Sequence, residues 1–188
     1  LTAQPKPLLQ GAVTEIDLAP PPQESVMDAS LYPTRRFPHD LWRLIFNGSK
    51  VDFLGVDPMG GIVRPPEESD QPDVRMLAYG SSISMAGPTF NDYLAVAAEE
   101  LGWDVLNLGM AGSCHIEPSI ADWIAARDDW DVGVFELGVN MVGQFEPEEF
   151  EQRARHLVEA CIRRRPERPV VLVSILRWSA DLRAETDR

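Results

Sequence analysis

The sequence predicts an α/β fold in which a parallel β-sheet lies between two layers of helices, a three-layer α/β/α arrangement. From residue 74 onward, short apolar runs alternate with amphipathic helical patterns, and this alternation is typical of a parallel sheet. The runs are almost continuously apolar, as expected for strands buried on both faces. A polar, glycine-containing segment follows each of the first three runs, at the sheet edge where such folds bind ligands.

The first half of this domain contains two strands and one helix. Val74–Tyr79 is a short apolar run that ends before a glycine. Phe90–Leu101 has apolar residues on one helical stripe, and Gly102 stops the pattern. Asp104–Leu108 is the second apolar run. The first strand, its helix and the second strand therefore form a βαβ unit.

The second half repeats the alternation. Pro118–Arg127 has Ile120, Trp123 and Ile124 at helical spacing, and Pro147–Arg165 has the pattern of a long amphipathic helix. Val132–Leu137 and Val170–Leu176 are the third and fourth strands. We expect the domain to be truncated after this fourth strand.

Residues 1–73 have a different composition, because they contain most of the 16 prolines of the chain. Proline disfavours long helices and central strands. The apolar runs 41–46 and 51–56 flank Asn47-Gly48, which is a hairpin signal. The sequence therefore predicts a small β-rich appendage over 1–73 and a core domain over 74–188.

Composition excludes several classes of partner. The 188 residues have a formal net charge of −13, so a nucleic acid is not expected as a partner. No apolar stretch has membrane-spanning length and no leader pattern is present, so we expect a cytoplasmic protein without membrane contact. Cys114 and Cys161 lie in different elements and give neither a disulfide framework nor a metal-binding spacing.

Three segments at predicted strand ends could carry chemistry: 80–84, 107–112 and 136–140. Ser82 lies in a tight strand-to-helix turn that would expose a nucleophilic hydroxyl. Gly112 would let a backbone N–H approach a substrate oxygen, and Asn140 could aim its amide into the same pocket. Each residue also has a structural interpretation. The first turn could be purely structural or bind phosphate, Gly112 could serve a turn with positive φ, and Asn140 could be a cap.

Together, these segments resemble the three blocks of the SGNH (GDSL) hydrolase superfamily. The resemblance implies a serine esterase that acts on small esters, often acetyl esters of carbohydrates, with no metal and no cofactor. It makes Ser82 the nucleophile. It also implies an oxyanion hole formed by the N–H of Ser82, the N–H of Gly112 and the side chain of Asn140. A β-rich N-terminal appendage looks like the carbohydrate-esterase branch.

The chain departs from the family pattern at three points. Ser81 stands where the family name has Asp, and Met141 follows the asparagine where Asp is common. The Asp-x-x-His block that carries the family's base is not found before Arg188. We expect the base to belong to a segment beyond this residue, because none of the chain's histidines has the family position: His39, His115 and His156.

Two other functions stay open. One is an inactive SGNH-fold protein that binds a glycan or a protein partner, and the other is a flavodoxin-like phosphate or nucleotide binder that uses residues 80–87. The oligomeric state is also open, and a homo-oligomer is allowed. Near the crevice we expect Glu117 to cap the helix that follows it, whereas three apolar residues could line a pocket or pack in the core: Met110, Met141 and Phe145.

Overall fold

The computed structural model describes residues 11–18, 37–38, 41–44, 51–85 and 92–175. The chain divides into two compact units, Leu1–Arg35 and Arg36–Arg188. In the first unit, the described residues form neither helix nor strand. All the helices and strands given below belong to the second unit, and the boundary at residue 73 stays a prediction.

Four parallel strands form the sheet: β1 (Arg75–Gly80), β2 (Asp104–Gly109), β3 (Val132–Glu136) and β4 (Val170–Val173). Their order is β2-β1-β3-β4. The first connection therefore moves to one side of β1, and the later ones move to the other side. This reversal places the topological switch point between β1 and β3, where open α/β sheets bind ligands beyond the carboxyl ends of the strands.

The helices begin and end close to the predicted residues. In α1 (Tyr93–Leu101) the side chain of Asp92 accepts hydrogen bonds from the first turn, and Gly102 ends the helix with a φ of 68°. Both α2 (Pro118–Ala126) and α3 (Pro147–Arg164) start with proline, as expected from its fixed φ. None of the helices in the described residues is long and apolar enough to span a lipid bilayer.

Residues of β1 alternate between the two faces of the sheet. Leu77 and Tyr79 belong to the larger core, which α2 and α3 cover. Met76 and Ala78 belong to the smaller core together with Leu94 of α1. The sheet therefore has helices on both faces, and the three-layer α/β/α prediction is confirmed.

A buried carboxylate holds the amino end of the sheet. Asp104, the first residue of β2, is 3% exposed and accepts hydrogen bonds from the side chains of Arg43 and Arg75. Burial alone raises the pKa of Asp104, but the hydrogen bonds from both arginines and the charge of Arg43 outweigh it and keep the pKa below its usual value. The charge at this end is therefore paired.

The predicted hairpin is only partly within the described residues. Residues 41–44 and 51–56, which flank the Asn-Gly turn, contain no strand, and Phe53, Leu54 and Val56 are more than half exposed. With these side chains exposed, the segment has little buried apolar surface to stabilise a strand. The turn itself, at 45–50, lies outside the described residues, so the β-rich character of residues 1–73 stays a prediction.

Candidate active site

The turn after β1 separates a buried serine from an exposed one. Ser81 is 1% exposed, and its carbonyl accepts hydrogen bonds from the N–H groups of Ser84 and Met85 at 3.2 and 3.0 Å. Its hydroxyl oxygen accepts a third from the N–H of Ile83 at 3.1 Å. Ser82 lies between these anchored residues and is exposed. The local geometry therefore presents one serine and buries its neighbour.

Two glycines let this turn lie close against the sheet. A Cβ atom on Gly80 would come within 2.5 Å of the Ser84 hydroxyl oxygen and 2.9 Å of Glu136 Oε2. A Cβ atom on Gly109 would overlap the backbone of Met85. Only residues without a side chain allow this approach.

The turn is also held from both neighbouring strands. From β2, the Nδ2 group of Asn107 donates to the Ser84 carbonyl at 2.6 Å, and its Oδ1 accepts from the N–H of Gly109 at 2.9 Å. From β3, the buried carboxylate of Glu136 accepts from Ser81. Sequence reasoning assigned no role to these two residues. The available signal was a polar side chain inside an otherwise apolar strand.

Gly112 lies in the exposed turn after β2. Its φ of 69° is in the left-handed region that favours glycine, so the positive-φ interpretation of this residue fits the structure. The N–H of Met110, two residues earlier, donates to the Gly80 carbonyl at 2.7 Å. This bond ties the start of the Gly112 turn to the end of β1.

Asn140 lies half-buried in the turn after β3. Its Oδ1 accepts a hydrogen bond from the N–H of Cys114 at 3.2 Å, which links the third segment to the second. Because Oδ1 is engaged in this way, the Nδ2 group is fixed as the free end of the side chain. The turn continues into Met141, which is buried in the larger core.

Three hydrogen-bond donors of the predicted site have no acceptor within the described part of the chain. They are the N–H of Ser82, the N–H of Gly112 and the Nδ2 group of Asn140. All three follow the carboxyl ends of adjacent strands in the order β2-β1-β3. Chemically, such a set can bind an oxygen that carries negative charge.

A model of the GDSL-like lipase/acylhydrolase family matches residues 74–185. The chain belongs to this family. The match includes the three segments described above, each at the strand end where the sequence predicted it. In sequence, the chain matches none of the curated proteins with which it was compared.

Solved structures similar to this GDSL-like chain share modest identity. The salicylyl-acyltransferase SsfX3 from a tetracycline biosynthetic pathway is 24% identical, with a TM-score of 0.46, over 55% of this chain and 30% of its own. A family two carbohydrate esterase from Clostridium thermocellum, solved in complex with cellohexaose, is 16% identical, with a TM-score of 0.48, over 64% of this chain and 48% of its own. A possible lipase from Chitinophaga pinensis DSM 2588 is 22% identical, with a TM-score of 0.41, over 53% of this chain and 48% of its own. The chain thus spans less than half the length of each.

No histidine among the described residues of this GDSL-like chain is hydrogen-bonded to Ser82. His115 lies close to the site in sequence, but its Nδ1 is 3.9 Å from a Glu117 carboxylate oxygen, and its ring packs against Phe145 with 5.2 Å between the centroids. His156 is exposed on α3, as predicted, with its Nε2 2.9 Å from Asp122 Oδ1. His39 lies outside the described residues.

The expected role of Glu117 is wrong in its detail. Glu117 stands at the N-cap position of α2, but its side chain makes no capping hydrogen bond. Its Oε2 atom is buried and has no hydrogen-bond partner in the described part of the chain. The side chain lies instead toward His115, whose Nδ1 is 3.9 Å from Glu117 Oε1.

The buried thiol near the site is unreactive by its environment. Cys114 is 1% exposed, and burial raises its pKa to about 11. Only a thiolate is a strong nucleophile, so at neutral pH this cysteine has packing contacts but little reactivity. The exposed hydroxyl of Ser82 is therefore the better placed of the two groups for attack.

Two surface hollows lie beside the helices, and neither is lined by Ser82, Gly112 or Asn140. A hollow of about 510 Å³ is lined by charged residues of α3, and one of about 310 Å³ lies next to Met110 and is mainly apolar. Of the three apolar candidates, Met141 is buried in the core, whereas Met110 and Phe145 pack at its margin. In the described ranges, no group of three His, Cys, Asp or Glu side chains is placed to hold a metal ion.

Proposed function

We propose that this GDSL-like chain carries the nucleophile and the oxyanion-binding groups of a serine esterase that hydrolyses small carboxylic esters. The observation that supports the proposal is the set of three donors without acceptors in the described part of the chain, which follow three adjacent strands and include the N–H of an exposed serine. Ser82 is the nucleophile, and its own N–H, the N–H of Gly112 and the Nδ2 group of Asn140 bind the oxyanion. Losing one such donor typically costs about 10²–10³-fold in kcat.

The reaction follows from these roles. The Ser82 hydroxyl oxygen attacks the carbonyl carbon while its proton passes to a base, and the carbonyl oxygen becomes an oxyanion. When this intermediate collapses, the bond to the alcohol breaks, and the alcohol oxygen takes the proton from the base. A water molecule then attacks the acyl-serine in the same way. The carboxylic acid leaves, and the Ser82 hydroxyl recovers its proton.

The proposal assigns the base to a histidine outside the described residues. His115 is a poor candidate, because its ring packs on Phe145 and its Nδ1 faces Glu117. A general base must come within hydrogen-bond reach of the hydroxyl that it deprotonates. As first substrates we propose acetyl esters, including those of carbohydrates, which the family resemblance implies.

The contacts of the first turn argue against the phosphate-binding alternative. A phosphate cradle requires several free backbone N–H groups. Here the N–H groups of Ser81, Ile83, Ser84 and Met85 all donate to protein acceptors. One of those acceptors is the Glu136 carboxylate, whose negative charge would repel a phosphate.

The test is covalent labelling of the intact protein with a fluorophosphonate, followed by intact mass and peptide mapping. We expect one adduct on Ser82 and hydrolysis of p-nitrophenyl acetate above background. If the protein is folded by circular dichroism but shows no labelling and no turnover, the esterase proposal is refuted. That result would favour an SGNH-fold protein that binds a glycan or a protein partner without catalysis.

A further inference from the structure

The structure assigns Glu136 as a positioning residue. From the end of β3 it holds the turn 81–84, which contains the proposed nucleophile Ser82. Glu136 is the last residue of β3 and is 1% exposed. Its Oε2 accepts a hydrogen bond from the Ser81 N–H at 2.8 Å and another from the Ser81 hydroxyl at 2.6 Å. A third comes from the Ser84 hydroxyl at 3.2 Å. These donors lie immediately before Ser82 and two residues after it.

The network continues away from the carboxylate. The Ser84 hydroxyl oxygen lies 2.8 Å from the Tyr93 hydroxyl of α1. Because the Ser84 proton points to Glu136, its oxygen is free to accept from Tyr93. The chain of donors therefore runs from α1 through the turn to β3, and Ser82 lies within the segment that it fixes.

The cost of this carboxylate supports a role beyond stability. A buried carboxylate is expensive unless its oxygens are satisfied. Glu136 Oε1 is buried and has no hydrogen-bond partner in the described part of the chain. An apolar side chain at this position of an apolar strand would avoid that cost, but it could not bind the turn. What the carboxylate adds is the three contacts to Ser81 and Ser84.

These contacts matter because of what Ser82 must do. The direction of its hydroxyl and of its N–H depends on the backbone of residues 81–83, which the Ser81 contacts fix. A displacement of about 1 Å at a reacting group can cost about 10²-fold in rate. The kinetic part of this inference rests on the proposed function, whereas the ordering of the turn can be measured without it.

The experiment compares Glu136→Ala and Glu136→Gln with the unmodified protein. Alanine removes all three contacts, whereas glutamine keeps an acceptor oxygen for them. We expect Glu136→Ala to lower kcat about 100-fold when the rate is divided by the number of sites that the fluorophosphonate labels. KM should change less than about threefold. We expect Glu136→Gln to retain at least about a tenth of the activity. A role through the charge alone would make the two variants equally slow, because both lack the negative charge of the carboxylate.

Asp104→Asn is the matched control. Asp104 is also a buried carboxylate, at the opposite end of the sheet, and it contacts Arg43 and Arg75 rather than the turn. We expect this variant to lose stability while each folded molecule keeps its kcat. Ser81→Ala should lower kcat in the unmodified protein but have little further effect in Glu136→Ala, because the two residues act as a pair.

A second measurement does not depend on catalysis. By hydrogen exchange and mass spectrometry, we expect the peptide covering 81–85 to exchange at least about tenfold faster in Glu136→Ala than in Asp104→Asn. If wild type is labelled on Ser82 but Glu136→Ala shows the same rate and the same exchange, only the positioning role fails. If wild type shows neither labelling nor turnover, the esterase proposal fails, and the exchange result alone decides whether Glu136 orders the turn.

Discussion

Asn140 and Cys114 are joined by a hydrogen bond of 3.2 Å from the Cys114 N–H to the Asn140 side-chain oxygen. Because of this bond, the oxygen and the nitrogen of one side-chain amide have different roles. The oxygen holds the third segment against the second, and the nitrogen is left for the donor role that we propose for it. A substitution that changes only the nitrogen can therefore separate structure from catalysis.

Asn140→Asp makes that separation. The aspartate keeps an oxygen for the Cys114 N–H but replaces the proposed donor with a second oxygen, which would repel an oxyanion. We expect kcat for p-nitrophenyl acetate to fall at least about 10²-fold with little loss of stability. Asn140→Ala should lose both activity and stability. Wild-type kcat in Asn140→Asp would remove Asn140 from the oxyanion hole.

Ser82→Ala tests the nucleophile. We expect turnover to fall at least about 10⁴-fold and fluorophosphonate labelling to disappear, since the attacking oxygen is gone. Ser69→Ala is the matched control, because Ser69 is also exposed but lies in the short 3-10 helix before β1. Turnover and labelling that survive in Ser82→Ala would place the nucleophile elsewhere.

Gly112→Ala tests the second donor against an unusually close control. Gly112 and Gly102 have φ values of 69° and 68°, and at both positions an added Cβ would meet no atom within 4 Å. We expect both alanine variants to lose roughly 1–2 kcal/mol of stability, because a left-handed conformation disfavours any side chain. Only Gly112→Ala should also lower kcat, because its N–H would turn away from the substrate. Equal kcat values for the two variants would contradict the assignment.

Asp104 should contribute to the acid sensitivity of the fold. Its pKa in the folded chain lies below the value of about 3.9 expected in the unfolded chain. Its contribution to stability is therefore complete above that value and is lost as the pH falls through the folded pKa. We expect Asp104→Asn to be roughly 1–3 kcal/mol less stable at pH 7, because the two arginines lose their anionic partner.

Urea unfolding at pH 7 and at pH 3 measures this effect. The difference between the unmodified protein and Asp104→Asn should narrow at pH 3, because this pH lies below the pKa of about 3.9 at which the carboxyl group of the unfolded chain takes up a proton. A difference that is equally large at both pH values would mean that the charge of Asp104 contributes little. The loss would then come from the shape of the side chain alone.

Much of the fold could be predicted because its signals are local. The apolar runs predicted the four strands, and a proline or glycine marked most helix ends, as at Pro118, Pro147 and Gly102. The placement of Ser82, Gly112 and Asn140 at strand ends also follows from this alternation. The fourth strand ends three residues earlier than predicted, at Val173, although its apolar pattern continues. Apolar character alone does not fix where pairing stops.

The contacts that hold the site could not be predicted in the same way. Glu136 meets Ser81 across 55 positions in sequence, and no periodicity encodes such a pairing. The same is true of Asn107, whose side chain reaches the Ser84 carbonyl from the next strand. Glu117 shows the opposite case, because its N-cap position is local but its side-chain direction depends on packing.

The close approach of the turn to Gly80 and Gly109 also affects which sequences can form this site. In a library that varies every position of the three segments, the exposed serine would tolerate many residues in the folded state and lose only activity. At the two glycines, even alanine would push the turn off the sheet, so those variants should disappear when the library is selected for folding alone. Under selection for folding, the most strictly retained positions of the three segments would therefore be two glycines that take no part in the chemistry.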